Sequence, residues 1–140
     1  MKILIGQIIE HMLLGKSILV VDDEPKIQHI IGKYLERAKI PDKRIVFASN
    51  GQEALQKMRN QDFGLVIMDI VMPKANGLQV IKSLKKEART RNIPLLLISG
   101  NLHAELVKIA VVLGVKNILS KPFTYDNFMQ RVCDTLKITV

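Results

Sequence analysis

Three carboxylates stand side by side at Asp22, Asp23 and Glu24, directly after the apolar run ILVV at 18 to 21. A second apolar run ends on Asp69, a third on Ser99, and a fourth leads into Lys121. Such runs have the length of buried strands, so each of these polar groups falls where a strand stops. Two carboxylates about 4 Å apart repel by roughly 4 kcal/mol at an effective dielectric near 20, so clustered acids call for protons or a cation. Mg²⁺ fits best, because it takes oxygen ligands, keeps several waters and is held by one or two carboxylates. Neither nearby histidine nor cysteine is placed to build a zinc site. A carboxylate beside Mg²⁺ and an ammonium is a shielded nucleophile, and the electrophile suited to that company is a phosphoryl group. Asp69 is the best placed for attack, with Lys121 and Ser99 holding phosphoryl oxygens and the cation neutralising charge that develops in transfer.

The elements that must position these groups alternate along the chain. SILVV (17 to 21), RIVFA (44 to 48), LVIMD (65 to 69), PLLLIS (94 to 99) and VKNILS (115 to 120) read as strands. Between them lie helical stripes. Ile27, Ile30, Ile31, Tyr34 and Leu35 follow Pro25, and the pattern stops before Pro41. Asn50 with Glu53 makes a capping-box-like start for a helix carrying Ala54, Leu55 and Met58. Asn76 and Gly77 open the next, Asn101 caps another that ends at Gly114, and Thr124 begins the last, which carries Phe128, Val132 and Leu136. Strands alternating with helices predict an α/β domain with a parallel sheet covered on both faces. In such sheets function gathers at the carboxyl ends of the strands, where Asp22, Asp23, Asp69, Ser99 and Lys121 all belong.

The first fifteen residues precede this pattern. Ile5, Ile8, Ile9, Met12 and Leu13 fall on one side of a helical wheel, opposite Gln7, Glu10, His11 and Leu14, which predicts a short amphipathic helix needing an apolar cover. No apolar run approaches the roughly 18 residues of a membrane span. The division expected is an N-terminal helical extension over 1–15 and one domain over 16–140. Cys133 is the only cysteine, which excludes an intrachain disulfide and fits a reducing compartment such as the cytoplasm. The net charge of +8 invites a nucleic-acid reading. The densest basic run, Lys82, Lys85, Lys86, Arg89 and Arg91, carries no interleaved aromatics and reads more simply as a solvated helix face, so direct nucleic-acid binding is not expected.

The strings ILVVDDEP, LVIMDIVMPKANGL, LLLISGN and SKPF, in this order and spacing, resemble the CheY-like receiver domain of two-component response regulators. The resemblance covers roughly Lys16 to Lys137. It implies a flavodoxin-like, doubly wound five-stranded sheet of order 2-1-3-4-5 with five helices. Residue by residue, it implies that Asp69 is the phosphoacceptor and that Asp22 and Asp23 are the metal-binding acidic pair. Lys121 and Ser99 would contact the phosphoryl group, and the backbone carbonyl of Val71 would complete the Mg²⁺ shell. It further implies a cytoplasmic phosphoacceptor rather than an enzyme with an external substrate, one that assists its own phosphorylation and dephosphorylation. Its partners would be a sensor histidine kinase or histidine phosphotransfer protein upstream and a downstream protein or output domain, with a homodimer as a further option.

Two positions depart from the family pattern. Ile118 stands where many receivers carry Tyr or Phe, and Gly100 replaces the alanine common after the hydroxyl residue. An alternative reading is therefore a receiver-fold interaction module whose phosphorylation switch is altered or lost. The chain ends soon after the last helical pattern, which reads as a stand-alone receiver or an excised piece. A haloacid-dehalogenase-like phosphatase would need two aspartates separated by one residue after the first strand, and here they are adjacent. GKS at 15 to 17 lacks the upstream glycine of a phosphate-binding loop, Glu10 standing in its place. The helix over 102 to 114 is apolar around much of its circumference, which fits either deep burial or a partner surface.

Overall fold

The structure, a computed structural model, describes residues 5–72, 77–100 and 104–139. The helix starts expected at Asn76 and Asn101 lie outside these residues. Five parallel strands, β1 (Ser17–Val21), β2 (Ile45–Ala48), β3 (Phe63–Asp69), β4 (Leu95–Ser99) and β5 (Asn117–Ser120), form one sheet in the order β2-β1-β3-β4-β5. The helices among the described residues are α1 (Ile5–Leu13), α2 (Pro25–Arg37), α3 (Gly51–Asn60), α4 (Gly77–Lys86), α5 (Ala104–Val112) and α6 (Tyr125–Thr135). This is the flavodoxin-like arrangement expected, with the N-terminal helix added.

The unbroken apolarity of β1, β3 and β4 follows from burial on both faces, whereas the edge strands β2 and β5 are only partly buried. Ile18, Val20, Leu65, Ile67, Leu96 and Ile98 point into a core shared with α1, α2 and α6. Their alternates Leu19, Val21, Val66, Met68 and Leu97 point into a second core shared with α3, α4 and α5. A strand slipped by one residue would exchange the two sets, so register is firmly held.

Strand limits differ from expectation at four places, β4 among them, which starts at Leu95 rather than Pro94. β2 starts at Ile45 rather than Arg44, whose side chain turns to Glu10 (3.3 Å) and to the Gly15 carbonyl (2.7 Å). β5 starts at Asn117 rather than Val115. β3 starts two residues early, at Phe63, because Gly64 forms an irregularity: Ser17 pairs with Phe63 but Ile18 with Leu65. A Cβ on Gly64 would lie 2.8 Å from Leu13 Cδ2, so the missing side chain admits α1 against the sheet.

α1 packs on the sheet through Ile9 and Leu13, while Gly6 lies against the backbone of Ala38. Met12, expected on the covered face, is exposed, because the close approach at Gly6 rotates the contact stripe; a Cβ there would strike the Ala38 carbonyl. α5 is not deeply buried. Only Ala110 is buried within it, while Ile109, Val111 and Val112 face solvent.

Caps close the helices. Asn50 Oδ1 accepts from Glu53 N at 2.8 Å, and Thr124 Oγ1 accepts from Asn127 N at 3.1 Å. Gly114 (φ 99°) ends α5 in a Schellman turn, with Val115 N bonding the Ala110 carbonyl. Lys39 (φ 70°) plays the same part after α2 without glycine's freedom. Lys39→Gly is therefore expected to raise the unfolding free energy by about 1 kcal/mol, measured by urea denaturation.

Candidate functional site

Asp22 follows β1 and stays with the sheet, its N–H donating to the Ala48 carbonyl at 3.1 Å. Its Oδ1 accepts from Glu24 N at 2.9 Å, an Asx-type turn that bends the chain into α2, whose first residue is Pro25. Gln28 Nε2 holds the same bend, donating to the Asp22 carbonyl at 2.7 Å and to the Ala48 carbonyl at 3.3 Å. Asp69 ends β3 beside β1. Its Oδ1 accepts from Val71 N at 2.9 Å and its Oδ2 from Lys121 Nζ at 2.7 Å. Gly77 begins α4 tightly against this turn, its N–H bonding the Ile70 carbonyl at 3.0 Å, where a Cβ would come within 2.8 Å of Ile70.

One oxygen from each of Asp22, Asp23, Glu24 and Asp69 lies within 4.8 Å of the others. Asp22 is fully buried and Asp69 is 6% exposed, whereas Asp23 and Glu24 reach solvent. Lys121 reaches in from the end of β5, within 2.7 Å of Asp69, 3.2 Å of Glu24 and 3.3 Å of Asp22. That single ammonium does not satisfy the cluster. Asp22 Oδ2 is buried, lies in ionic contact with Lys121, and makes no directed hydrogen bond.

The imbalance falls on Asp22 and Lys121. Burial pushes the Asp22 carboxyl up to about 6 from 3.8; the Asp69 charge adds to this, while the Glu24 amide and Lys121 oppose it. Burial works against the Lys121 ammonium too, but its hydrogen bond to Asp69 and the neighbouring carboxylates outweigh burial and hold it above the usual lysine value. An acidic pocket with an orphaned buried oxygen and only oxygen donors suits a hard divalent cation.

These strand ends, in this topology, are matched by known proteins. A family model of the response regulator receiver domain matches residues 18–133. The chain belongs to that family. It is a CheY-like receiver domain of two-component systems. It is 35% identical to chemotaxis protein CheY1 of Helicobacter pylori over 109 residues, 77% of this chain and 86% of that protein. It is 34% identical to response regulator GtcR of Aneurinibacillus migulanus over 110 residues, 79% of this chain and 43% of that protein. The chain thus spans less than half the length of GtcR. The solved chemotaxis response regulator CheY4 of Vibrio cholerae superposes with a TM-score of 0.77 at 23% identity, covering 86% of this chain and 98% of that one.

Of the residues singled out in the sequence, the receiver fold brings Asp22, Asp23, Asp69 and Lys121 into one cluster, with Val71 two residues beyond Asp69. Ser99 sits at the end of β4, buried, and its hydroxyl donates to the Gly100 carbonyl at 2.8 Å. Ile118 is half-buried against the second core. Two contributors were not assigned from the sequence. Glu24 engages Lys121, and the third adjacent carboxylate in DDE was the signal for it. Gln28 fixes the Asp22 bend from the next helical turn, for which the pattern held no signal.

Proposed function

We propose that this receiver accepts a phosphoryl group onto Asp69 from a phosphohistidine on a sensor histidine kinase or phosphotransfer protein, in a Mg²⁺-dependent reaction. The observation that carries the reading is the Asp69 carboxylate held between the Val71 amide and the Lys121 ammonium, beside the orphaned Asp22 oxygen. Asp22, Asp23, Asp69 and the Val71 carbonyl would hold the metal. Mg²⁺, when bound, supplies positive charge against which charge on the transferring phosphoryl group is stabilised.

The chain's own groups do the rest. The Asp69 carboxylate forms the new O–P bond as the P–N bond of the phosphoimidazole breaks, and the leaving imidazole takes up a proton from solvent. The Val71 N–H and the sheet fix the carboxylate in place before attack. Lys121, which stays protonated, passes from the free carboxylate to a phosphoryl oxygen. Ser99, whose hydroxyl donates to the Gly100 carbonyl, would turn it toward the same group. In this reading the receiver assists its own phosphorylation and dephosphorylation and turns over no external substrate, and residues 16–140 act as one unit to which 1–15 is appended. The response alters a partner-binding surface, for which the exposed apolar side of α5 is the natural candidate.

Intact-protein mass after incubation with acetyl phosphate and Mg²⁺ tests the reading: one phosphoryl adduct is expected, lost when EDTA replaces Mg²⁺. A folded, Mg²⁺-binding protein that gains no adduct would instead favour the interaction module with a lost switch, a reading that Ile118 and Gly100 keep open.

Lys121→Ala separates the roles. The substitution removes the ammonium that contacts Asp22, Glu24 and Asp69 and leaves the four clustered carboxylates without a cation, so the metal-free protein should lose about 2 to 4 kcal/mol. Mg²⁺ affinity should be kept or increased, since the competing ammonium is gone, while the conformational response to phosphorylation disappears. Urea unfolding with EDTA and with Mg²⁺ measures the first two effects. A collapse of Mg²⁺ affinity would contradict the assignment of Lys121 to the phosphoryl group rather than the metal.

A further inference from the structure

At the opposite end of the sheet, where β4 and β5 begin, lies a cleft of about 580 Å³. Lys85, Arg91, Lys116 and Lys137 line it. Among the described residues none of these four has a carboxylate partner; Lys85 Nζ bonds the Arg91 carbonyl (3.2 Å) and Arg91 Nε the Glu87 carbonyl (3.4 Å). The one acid in the lining, Asp134, is already engaged by Gln130 at 2.9 Å and Arg131 at 3.4 Å.

Lys85 and Lys137 stand at the ends of α4 and α6, where a cation complements the helix dipole. Arg91 and Lys116 belong to no helix, so that explanation fails for them. Four like charges around one concavity, without a carboxylate partner among the described residues, favour an anionic ligand.

The lining restricts its class. Ile93, Pro94 and Leu95 are half-buried there, and Val115 and Leu136 lie beneath them. Among the described residues no aromatic ring lines the cleft for bases to stack on, and four cations fall short of the roughly 6 to 10 phosphate contacts of a nucleic-acid footprint. An aliphatic floor with a cationic rim fits a peptide segment that alternates carboxylates with aliphatic side chains.

We propose that the cleft framed by Lys85, Arg91, Lys116 and Lys137 is a docking site for an acidic segment of a partner protein carrying aliphatic anchors. It lies at the amino ends of the strands, away from Asp22 and Asp69 at the carboxyl ends, so the segment and a phosphoryl donor can engage the receiver together.

The test uses the full chain and a fluorescent synthetic peptide of repeating Glu-Glu-Leu, read by anisotropy, with amide NMR shift mapping on the wild type. Shifts should concentrate on residues 91–95, 115–117 and 134–137. Lys116→Glu with Lys137→Glu should weaken binding about tenfold or more, while Lys26→Glu with Lys43→Glu, of equal net charge and outside the cleft, should not. A repeating Glu-Glu-Ser peptide should bind more weakly than the Leu peptide. The proposal is overturned by equal binding of the two peptides, by equal loss in both double variants, by tighter binding of a short single-stranded oligonucleotide, or by shifts confined to the carboxyl edge.

Discussion

Asp69→Asn is expected to accept no phosphoryl group from acetyl phosphate or from a phosphohistidine donor, with the adduct falling below detection while the fold is retained. An amide lacks the anionic oxygen that must form the O–P bond, and no neighbour is placed to substitute for it. Asp22 is fully buried and its Oδ1 is committed to the Glu24 amide, while Asp23 and Glu24 lack the Val71 N–H that orients Asp69. Stability should change by no more than about 1 kcal/mol, because Lys121 keeps Asp22 at 3.3 Å and Glu24 at 3.2 Å and is not left unpaired. Losing one carboxylate also relieves the repulsion felt by Asp22. Mass spectrometry gives the first result and urea unfolding the second.

Asp22→Asn is expected to make the metal-free protein more stable while removing most of its affinity for Mg²⁺. Folding holds the Asp22 proton up to about pH 6 against 3.8 for the ordinary carboxyl. An acid raised in this way contributes stability that is fully present below about pH 3.8 and is lost as pH rises through about 6. That interval corresponds to about 3 kcal/mol, an upper limit for the gain: the oxygen of the introduced amide can still accept from the Glu24 N–H, but its NH₂ group finds Lys121 in front of it. A gain of about 1 to 3 kcal/mol is expected at pH 8, shrinking to nothing near pH 4. In wild type, Mg²⁺ at a hundred times its dissociation constant should restore about 2.7 kcal/mol, and in the variant almost nothing. Thermal unfolding at the two pH values, with and without Mg²⁺, measures each quantity.

Most of this fold was legible because the three central strands are buried on both faces and every strand carries a short aliphatic run that a polar residue ends or follows. The site was legible for the same reason: Asp22, Asp69, Ser99 and Lys121 are those terminating residues, and parallel topology carries all strand ends to one edge. What stayed hidden depended on contacts between distant parts of the chain. Gly64 weakens the β3 pattern, and only Leu13, packed where its side chain would stand, explains why the strand runs through it. The face that α1 buries is decided by the approach of Gly6 to Ala38, so Met12 turned outward against its apolar character. Hydropathy could not separate a buried α5 from one with an exposed apolar side, because both carry the same residues. The basic cleft joins residues from three separate stretches, and the sequence held only Lys85 and Arg91 in one run, with Lys116 and Lys137 brought in by the fold.

Chemical trapping reads most directly whether Asp69 carries the phosphoryl group. Protein treated with acetyl phosphate and Mg²⁺, then reduced with sodium borohydride, converts an aspartyl phosphate to homoserine, which peptide mass mapping locates. Homoserine at position 69, and unmodified aspartate at 22 and 23, is expected from the Asp69 assignment. Homoserine at either of those positions, or none in a protein that binds Mg²⁺ and remains folded, would contradict it.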